Sequence, residues 1–446
     1  MFKRLSLLLT VALLFAMLLL LSIPTSIVAQ DAEPTPIVGA FGGGETKISY
    51  WNGLTGSDGV TMNEMLAQFA MENPEYEVTS EIIPWNTLYA KLQAAFVANQ
   101  PPDLVLMHAS EVPQFASFGV LMDLGPWYTS GGGWFDETDI STITYSGMQY
   151  QGVTYAIPLD NHGRGLWINT DMFEAAGIDT DPATAPDNYE DWVTLLQALT
   201  LDADGNNAAD PDFDNENVVQ WGYVVGEWPR VNFLSALAQH GGEMVSADGH
   251  ITVNSDAGVA ALQQAVDLVY EYNVSPPPAG FDTWQGFASG SVAVIPTGTW
   301  FRNFAVDQTD INGMAWPQVQ FGAQPATWFG IHAFMLPASS TPEKAAAVEA
   351  LLQWISANQV TWAGSGQVPA LLSAQAALDP VNYPSNILLG QSFSDYGILD
   401  YQSTAVQEMY AALDPELDAA LNNLKSVEDA LNDATERMQQ VLDRAM

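Results

Sequence analysis

The sequence predicts an α/β protein of two domains. Between Lys47 and Leu124 apolar runs and amphipathic stretches follow one another as strand, helix, strand, helix, strand, the order of a parallel sheet with right-handed crossovers. At 446 residues the chain is too long for one core, and a hydrophobic content of 48% is ample for two.

Lys47-Ile-Ser-Tyr-Trp51 has strand composition and is followed by asparagine and glycine. Ser57 or Asp58 is placed to cap a helix whose Met62, Met65, Leu66 and Phe69 fall on one face. A second strand is expected over 77–83, and a helix over 86–99 burying Leu88, Leu92 and Phe96. Leu104-Val-Leu-Met107 is apolar at every position, as a strand covered on both faces must be. Ligands of such sheets bind beyond the carboxyl ends of the strands. The pocket wall is therefore expected at 51–56 and 108–111.

Further on, the pattern predicts a helix over 111–118, a hairpin and strand over 150–158, and a polar, glycine-rich crossing over 159–165. A strand over 166–168 and helices over 171–176 and 189–201 follow. A second strand-and-helix series starts near residue 218, with strands over 220–225 and 292–295 and helices over 231–239 and 258–272. Trp328-Phe-Gly-Ile-His-Ala-Phe-Met-Leu336 reads as a strand, 343–356 as a helix, and 404–446 as a helical tail broken at Pro415.

Lys3-Arg4 precede the charge-free run from Leu5 to Leu21, and Ala29 offers a small residue for cleavage, so residues 1–29 read as a secretory signal. An uncleaved anchor is the alternative. Residues 30–45, with Pro34, Pro36 and Gly42-Gly43-Gly44, read as a disordered spacer. With no cysteine there is no disulfide, no thiol chemistry and no lipid anchor on an N-terminal cysteine. The net charge of −41, from 52 acidic and 11 basic residues, argues against nucleic acid and anionic membrane surfaces. It also disfavours anionic ligands unless an arginine enters the pocket; Arg164, Arg230 and Arg302 are the candidates.

No phosphate-cradling glycine loop, H-E-x-x-H or G-x-S-x-G occurs, and the histidines at 108, 162, 240, 250 and 332 show no metal-ligand spacing. The 52 acids supply many chance carboxylate pairs, so they are no argument for a glycosidase. The informative excess is 14 tryptophans. Trp51, Trp85, Trp228, Trp284, Trp300 and Trp328 lie at strand ends or beside glycine and proline, where an indole face can stack on a sugar ring. For any one of them a core position is the stronger reading, and it is the six together that shift the balance towards a stacking pocket. In the acidic loop from Asp202 to Asp210, the oxygens of Asp202, Asp204, Asn206 and Asp210 are spaced as a structural calcium site requires, although Asn207 stands where such loops carry glycine. A solvated loop is the alternative, and no other cofactor is expected.

Ser49-Tyr-Trp-Asn-Gly-Leu-Thr-Gly56, Phe69-Ala-Met-Glu-Asn-Pro-Glu75, Pro84-Trp85, Pro102-Asp-Leu-Val105 and Gln114-Phe-Ala-Ser-Phe-Gly119 resemble the extracellular solute-binding proteins of family 1. So do Tyr155-Ala-Ile-Pro-Leu-Asp160, Trp167-Ile-Asn169, Phe173-Glu-Ala-Ala-Gly177, Gly290-Ser-Val-Ala-Val, Thr297-Gly-Thr-Trp300 and Trp328-Phe-Gly330. These are the maltose-binding-protein-like receptors of bacterial ABC sugar importers, and the ordered similarity covers 46–446. It implies a two-lobed periplasmic-binding-protein fold, type II-like, with three hinge crossings. One lobe would be 46–158 plus 330–368, the other 163–327 plus 372–446, with crossings near 159–162, 328–330 and 366–370. It further implies ligand contacts from Asn52, Thr55, His108, Ser110, Glu111, Asp160, Glu227, Trp228, Trp300, Trp328 and His332. The expected function is non-enzymatic capture of a neutral carbohydrate by an exported, periplasmic or extracellular monomer that hands it to permease subunits. A glycerol-phosphate or phosphodiester receptor using Arg164 is the alternative, and a secreted glycosidase a more distant one.

Overall fold

The computed structural model describes residues 37–307 and 311–445. The expected leader and the start of the expected spacer, up to residue 36, lie outside them. Among the described residues no helix is long and apolar enough to cross a membrane.

The strands of the two main sheets are β1 Ile37–Gly42, β2 Thr46–Asn52, β3 Tyr76–Ile82, β4 Leu104–His108, β5 Ile157–Gly163, β6 Leu166–Asn169, β7 Val294–Ile295, β8 Gly313–Trp316, β9 Thr327–Met335, β10 Val368–Pro369 and β11 Gly397–Leu399. The larger, eight-stranded sheet runs β1-β3-β2-β4-β9-β5-β10, with β11 also on β9. The expected parallel unit is its centre: β2 pairs parallel with both β3 and β4. The smaller sheet is antiparallel, β7-β6-β8.

Long helices cover these sheets: α1 Ser57–Glu72, α2 Trp85–Val97, α3 Pro229–Gln239, α4 Asp256–Tyr270, α5 Pro342–Ala357, α6 Pro384–Tyr396, α7 Val406–Leu421 and α8 Val427–Ala445. Met62, Met65, Leu66 and Phe69 of α1 are buried with Val348, Leu351 and Leu352 of α5 in one core. A second core joins α3, α4, α7 and α8 around Leu237, Leu262, Met409 and Leu431.

Several expectations are corrected. The spacer does not extend through residue 45, because Ile37–Gly42 is an edge strand paired antiparallel with β3 from Ile37↔Ile82 to Gly42↔Glu77. Glycine and proline nearby hid a run, Ile37 to Phe41, whose ring packs on the first core. Helix α1 is capped at Gly56, while Asp58 sits in its first turn and accepts the N–H groups of Gly56 at 3.2 Å and Gly59 at 2.8 Å. The tail does not break at Pro415, which lies inside α7. The break comes after Leu421, where Asn423 takes a left-handed φ of 54°. The strand expected over 220–225 is only Val218–Gln220, paired with Leu201–Asp202.

The three segments expected as crossings lie side by side as β5, β9 and β10, with β5 antiparallel to both neighbours. Every residue of β5 and β9 is buried. β9 is long enough to pair with β4 through His332–Met335 and with β11 through Thr327–Phe329. One continuous strand thus joins segments from residues 104 to 399 in a single sheet.

Central burial should dominate stability. Leu106, 0% exposed and opposite Phe334, should cost about 2–5 kcal/mol as Leu106→Ala. Val97→Ala, at a site 91% exposed, should change stability by less than about 0.5 kcal/mol. Denaturant midpoints at unchanged slope measure both.

Candidate functional site

The sheet register builds the site. His332 on β9 lies opposite His108 on β4 and opposite Asp160 on β5, so the three form a row across adjacent strands. His162, two residues along β5 from Asp160, returns to the same face because strand side chains alternate. It sits opposite Gly330, where any Cβ would come within 2.5 Å of its Nε2. Only glycine leaves room for that ring.

Asp160 is the hub. It is 0% exposed and accepts hydrogen bonds from His332 Nδ1 at 3.0 Å to both oxygens, from His162 Nδ1 at 3.3 Å and from Trp362 Nε1 at 2.8 Å. Burial pushes its pKa up, but His332 and His162 outweigh it and hold the carboxyl below the usual range. His108 Nδ1 meets the Tyr89 hydroxyl, which also accepts the His108 backbone N–H. Burial, with His332 and His162 nearby, pushes the His108 pKa well down. Burial and His332 lower His162 to about 4, against the opposing pull of Asp160.

Indoles enclose this row. Trp85 stacks on His332 at 5.3 Å and 10° and lies 4.2 Å from His108. Trp300 meets His162 edge-on at 6.3 Å, and Trp228 meets Trp300 at 6.3 Å. Trp328 lies 5.7 Å from His162 and donates its N–H to Asp400 at 2.9 Å. Trp228 is 53% exposed and holds a left-handed φ of 49° at the start of α3. It is the most exposed indole of the group, Trp85 and Trp300 being partly buried and Trp328 buried.

Other expected residues are placed elsewhere or already committed. Trp51 points away from Asn52 and lies under Lys91, whose Nζ is 4.0 Å from its ring. Asn52 is buried and spent on the Ser80 hydroxyl of β3 and on the Leu54 N–H of its own loop. Thr55 is exposed and Ser110 buried. Trp284 packs on Phe301 and Phe304, but its N–H reaches Glu227 at 3.0 Å, and Thr297 binds the same oxygen at 3.1 Å. Glu227 therefore sits at the edge of the cluster, held from two sides.

The acidic loop is pinned by Asp202 itself, whose carboxylate accepts the N–H groups of Asp204, Asn206 and Asp214. These bonds, led by that from Asp214, lower its pKa to about 2. The carboxylates of Asp202, Asp204 and Asp210 do not converge. Among the described residues the one His/Asp/Glu group that does is His108, His162 and His332, which corrects the reading of the histidines as scattered. Arg164 is buried behind the indoles, its guanidinium carbon 5.9 Å from the Trp300 ring and its Nη1 without a partner. It is 0% exposed and bonds Asn232 Oδ1, the Glu227 carbonyl and the Pro296 carbonyl. Burial lowers its pKa to about 10.

The family profile of the bacterial extracellular solute-binding proteins matches residues 52–362. The chain belongs to this family. An sn-glycerol-3-phosphate-binding periplasmic protein of Brucella abortus is 26% identical over 265 residues, 58% of each chain. An arabinooligosaccharide-binding protein of Bacillus subtilis is 22% identical over 284 residues, 60% of this chain and 59% of that one. The chain thus spans less than two thirds of the length of the curated relatives it matches. A Listeria monocytogenes substrate-binding protein in complex with cycloalternan superposes with a TM-score of 0.75 at 23% identity, over 89% of this chain and 99% of that one. The GacH receptor of Streptomyces glaucescens superposes with a TM-score of 0.76 at 18% identity, over 90% and 99%. The fold of this solute-binding protein is the two-lobed periplasmic-binding fold.

In this solute-binding protein, groups that sequence reasoning missed hold the loop after β4 against the C-terminal helices. Gln402 Nε2 donates to the carbonyls of Ala109 and Gly147, and Gln407 Nε2 to Glu111 Oε1. Asp400 accepts from Trp328 and from the Tyr410 hydroxyl at 2.6 Å. Arg230 lies 3.8 Å from the Tyr410 ring and pairs with Asp414. Single polar residues in a helical tail carry no pattern that could have revealed them.

Glu111 is buried, and its Oε2 has no partner. Burial raises its pKa from 4.5 to about 8, against the Gln407 hydrogen bond. The folded chain therefore holds this proton more tightly than the unfolded chain. Its contribution to stability is full below pH 4.5 and is lost as pH rises towards about 8. Glu111→Gln should remove that decline: thermal melts of variant and parent should agree below about pH 4.5 and separate, variant higher, above about pH 8.

Proposed function

We propose that this protein is the exported receptor of an ABC importer and captures a neutral carbohydrate between its lobes. The observation that carries the reading is the ring of Trp85, Trp228, Trp300 and Trp328 around the histidine row on β4, β5 and β9. Indole faces suit the C–H faces of a sugar ring, and the Glu227 and Asp400 carboxylates at its margin suit hydroxyl donors. Family membership supports a binding role without catalysis and an extracellular location. Delivery to permease subunits as a monomer follows from the same reading, as does closure of the lobes on the ligand.

The glycerol-phosphate reading has the Brucella abortus relative behind it. The arginine it requires is buried among neutral acceptors, and a net charge of −41 disfavours a phosphate monoester. The carbohydrate reading is therefore preferred.

Calorimetry and thermal shift against arabinose-, mannose- and glucose-based oligosaccharides, with sn-glycerol 3-phosphate as the charged arm, test it. At a sugar concentration of about 100 Kd, stabilisation of about 2.7 kcal/mol is expected. Trp300→Ala should weaken binding by about 2 kcal/mol, roughly thirtyfold in Kd. Saturable binding of glycerol phosphate with no response to any sugar would overturn the assignment.

A further inference from the structure

The histidines at the centre of the site have chemistry that stacking on a sugar does not use. His108, His162 and His332 each offer a ring nitrogen within 4.8 Å of the other two. We propose that they form a binding site for one divalent transition-metal ion of the Zn2+ class.

Hydrogen bonding sets the rings up for this. His162 and His332 both turn Nδ1 to the Asp160 carboxylate, and His108 turns Nδ1 to the Tyr89 hydroxyl. A carboxylate on Nδ1 fixes the proton there and leaves the lone pair on Nε2, the arrangement of metal-ligating histidines. Among the described residues the Nε2 atoms of the three rings make no hydrogen bond. Asp160 is fully buried and adds a fixed negative charge behind two of the ligands, which favours a cation in front of them.

The ligand set selects the metal. Three imidazoles suit zinc and its first-row neighbours, whereas calcium and magnesium take oxygen. Around tetrahedral Zn2+, at Zn–N distances of about 2.0–2.1 Å, the nitrogens stand about 3.3 Å apart. Closing from the observed 4.8 Å limit takes ring shifts on the order of 1 Å, and because His162 and His332 stack at 4.0 Å and 25°, one of these rings must also turn to aim its Nε2 at the ion. Three protein ligands leave a coordination position open. The rings come from three adjacent strands of one sheet, a rigid support rather than a loop.

The experiment needs no sugar and does not rest on the carbohydrate reading. The full chain, dialysed against EDTA, is titrated with ZnCl2 by calorimetry and with Co2+ by visible absorption. One ion per chain with a tetrahedral Co2+ spectrum is expected. His108→Ala and the double variant His108→Ala/His332→Ala should each weaken binding at least tenfold. Tyr89→Phe and Asp160→Asn keep all three ligands but release their Nδ1 atoms, and should cost about 10–100-fold in affinity. Tyr89→Phe preserves core volume, so it reports even where a histidine variant misfolds. Asp202→Asn/Asp210→Asn should leave binding unchanged. Failure of the parent chain to bind Zn2+ overturns the proposal. So does binding that is indifferent to the histidine, Tyr89 and Asp160 variants, which would assign the ion to surface carboxylates.

Discussion

The fully buried carboxylate of Asp160 is the constraint on which the centre of this molecule depends. A charge taken out of water is costly unless it is paired and hydrogen-bonded. Here His332, His162 and Trp362 converge on it, drawing β5, β9 and the segment leading to β10 onto one point. The same contacts that satisfy the charge therefore fix how these segments sit against one another.

Around that point the tryptophans divide by environment. Trp167, Trp192, Trp316 and Trp362 are wholly buried, and three of them find an N–H acceptor: the Gly298 carbonyl, the Thr180 carbonyl and Asp160. Trp85, Trp228, Trp300 and Trp328 instead contact the histidine row or one another. Both uses exploit the same side chain, a large apolar face with a single polar handle. Which use applies depends on what lies across from the ring.

The charge balance acts on a different scale. With 52 acids and 11 bases, most carboxylates lack a cation, and the ones at the centre are handled by hydrogen bonds instead. Asp400 rests on Trp328 and Tyr410, and Glu227 on Trp284 and Thr297. Arg164, the buried guanidinium beside them, bonds carbonyls and Asn232 and no carboxylate. Neutral partners take most of the hydrogen bonds of these charged groups, leaving Glu111 Oε2 and Arg164 Nη1 without one.

Local pattern was enough for the parallel unit β2-α1-β3-α2-β4, because apolar periodicity follows directly from which face is buried. It also sufficed for most of the long helices and for β9, whose run of apolar residues matches its complete burial, but not for α6, which no stretch of the sequence reading anticipated. Strand β1 escaped because an edge strand buries little and so shows little alternation. The sequence alone determined the fold class, the family resemblance and an aromatic excess beyond core needs. Only the tertiary structure decided that His108, His162 and His332 stand together, that Arg164 is buried and that Asn52 is spent on Ser80 of the neighbouring strand and on the Leu54 N–H. Strand register brings side chains from β4, β5 and β9 into one row, and register is a property of pairing between distant segments that no local spacing encodes.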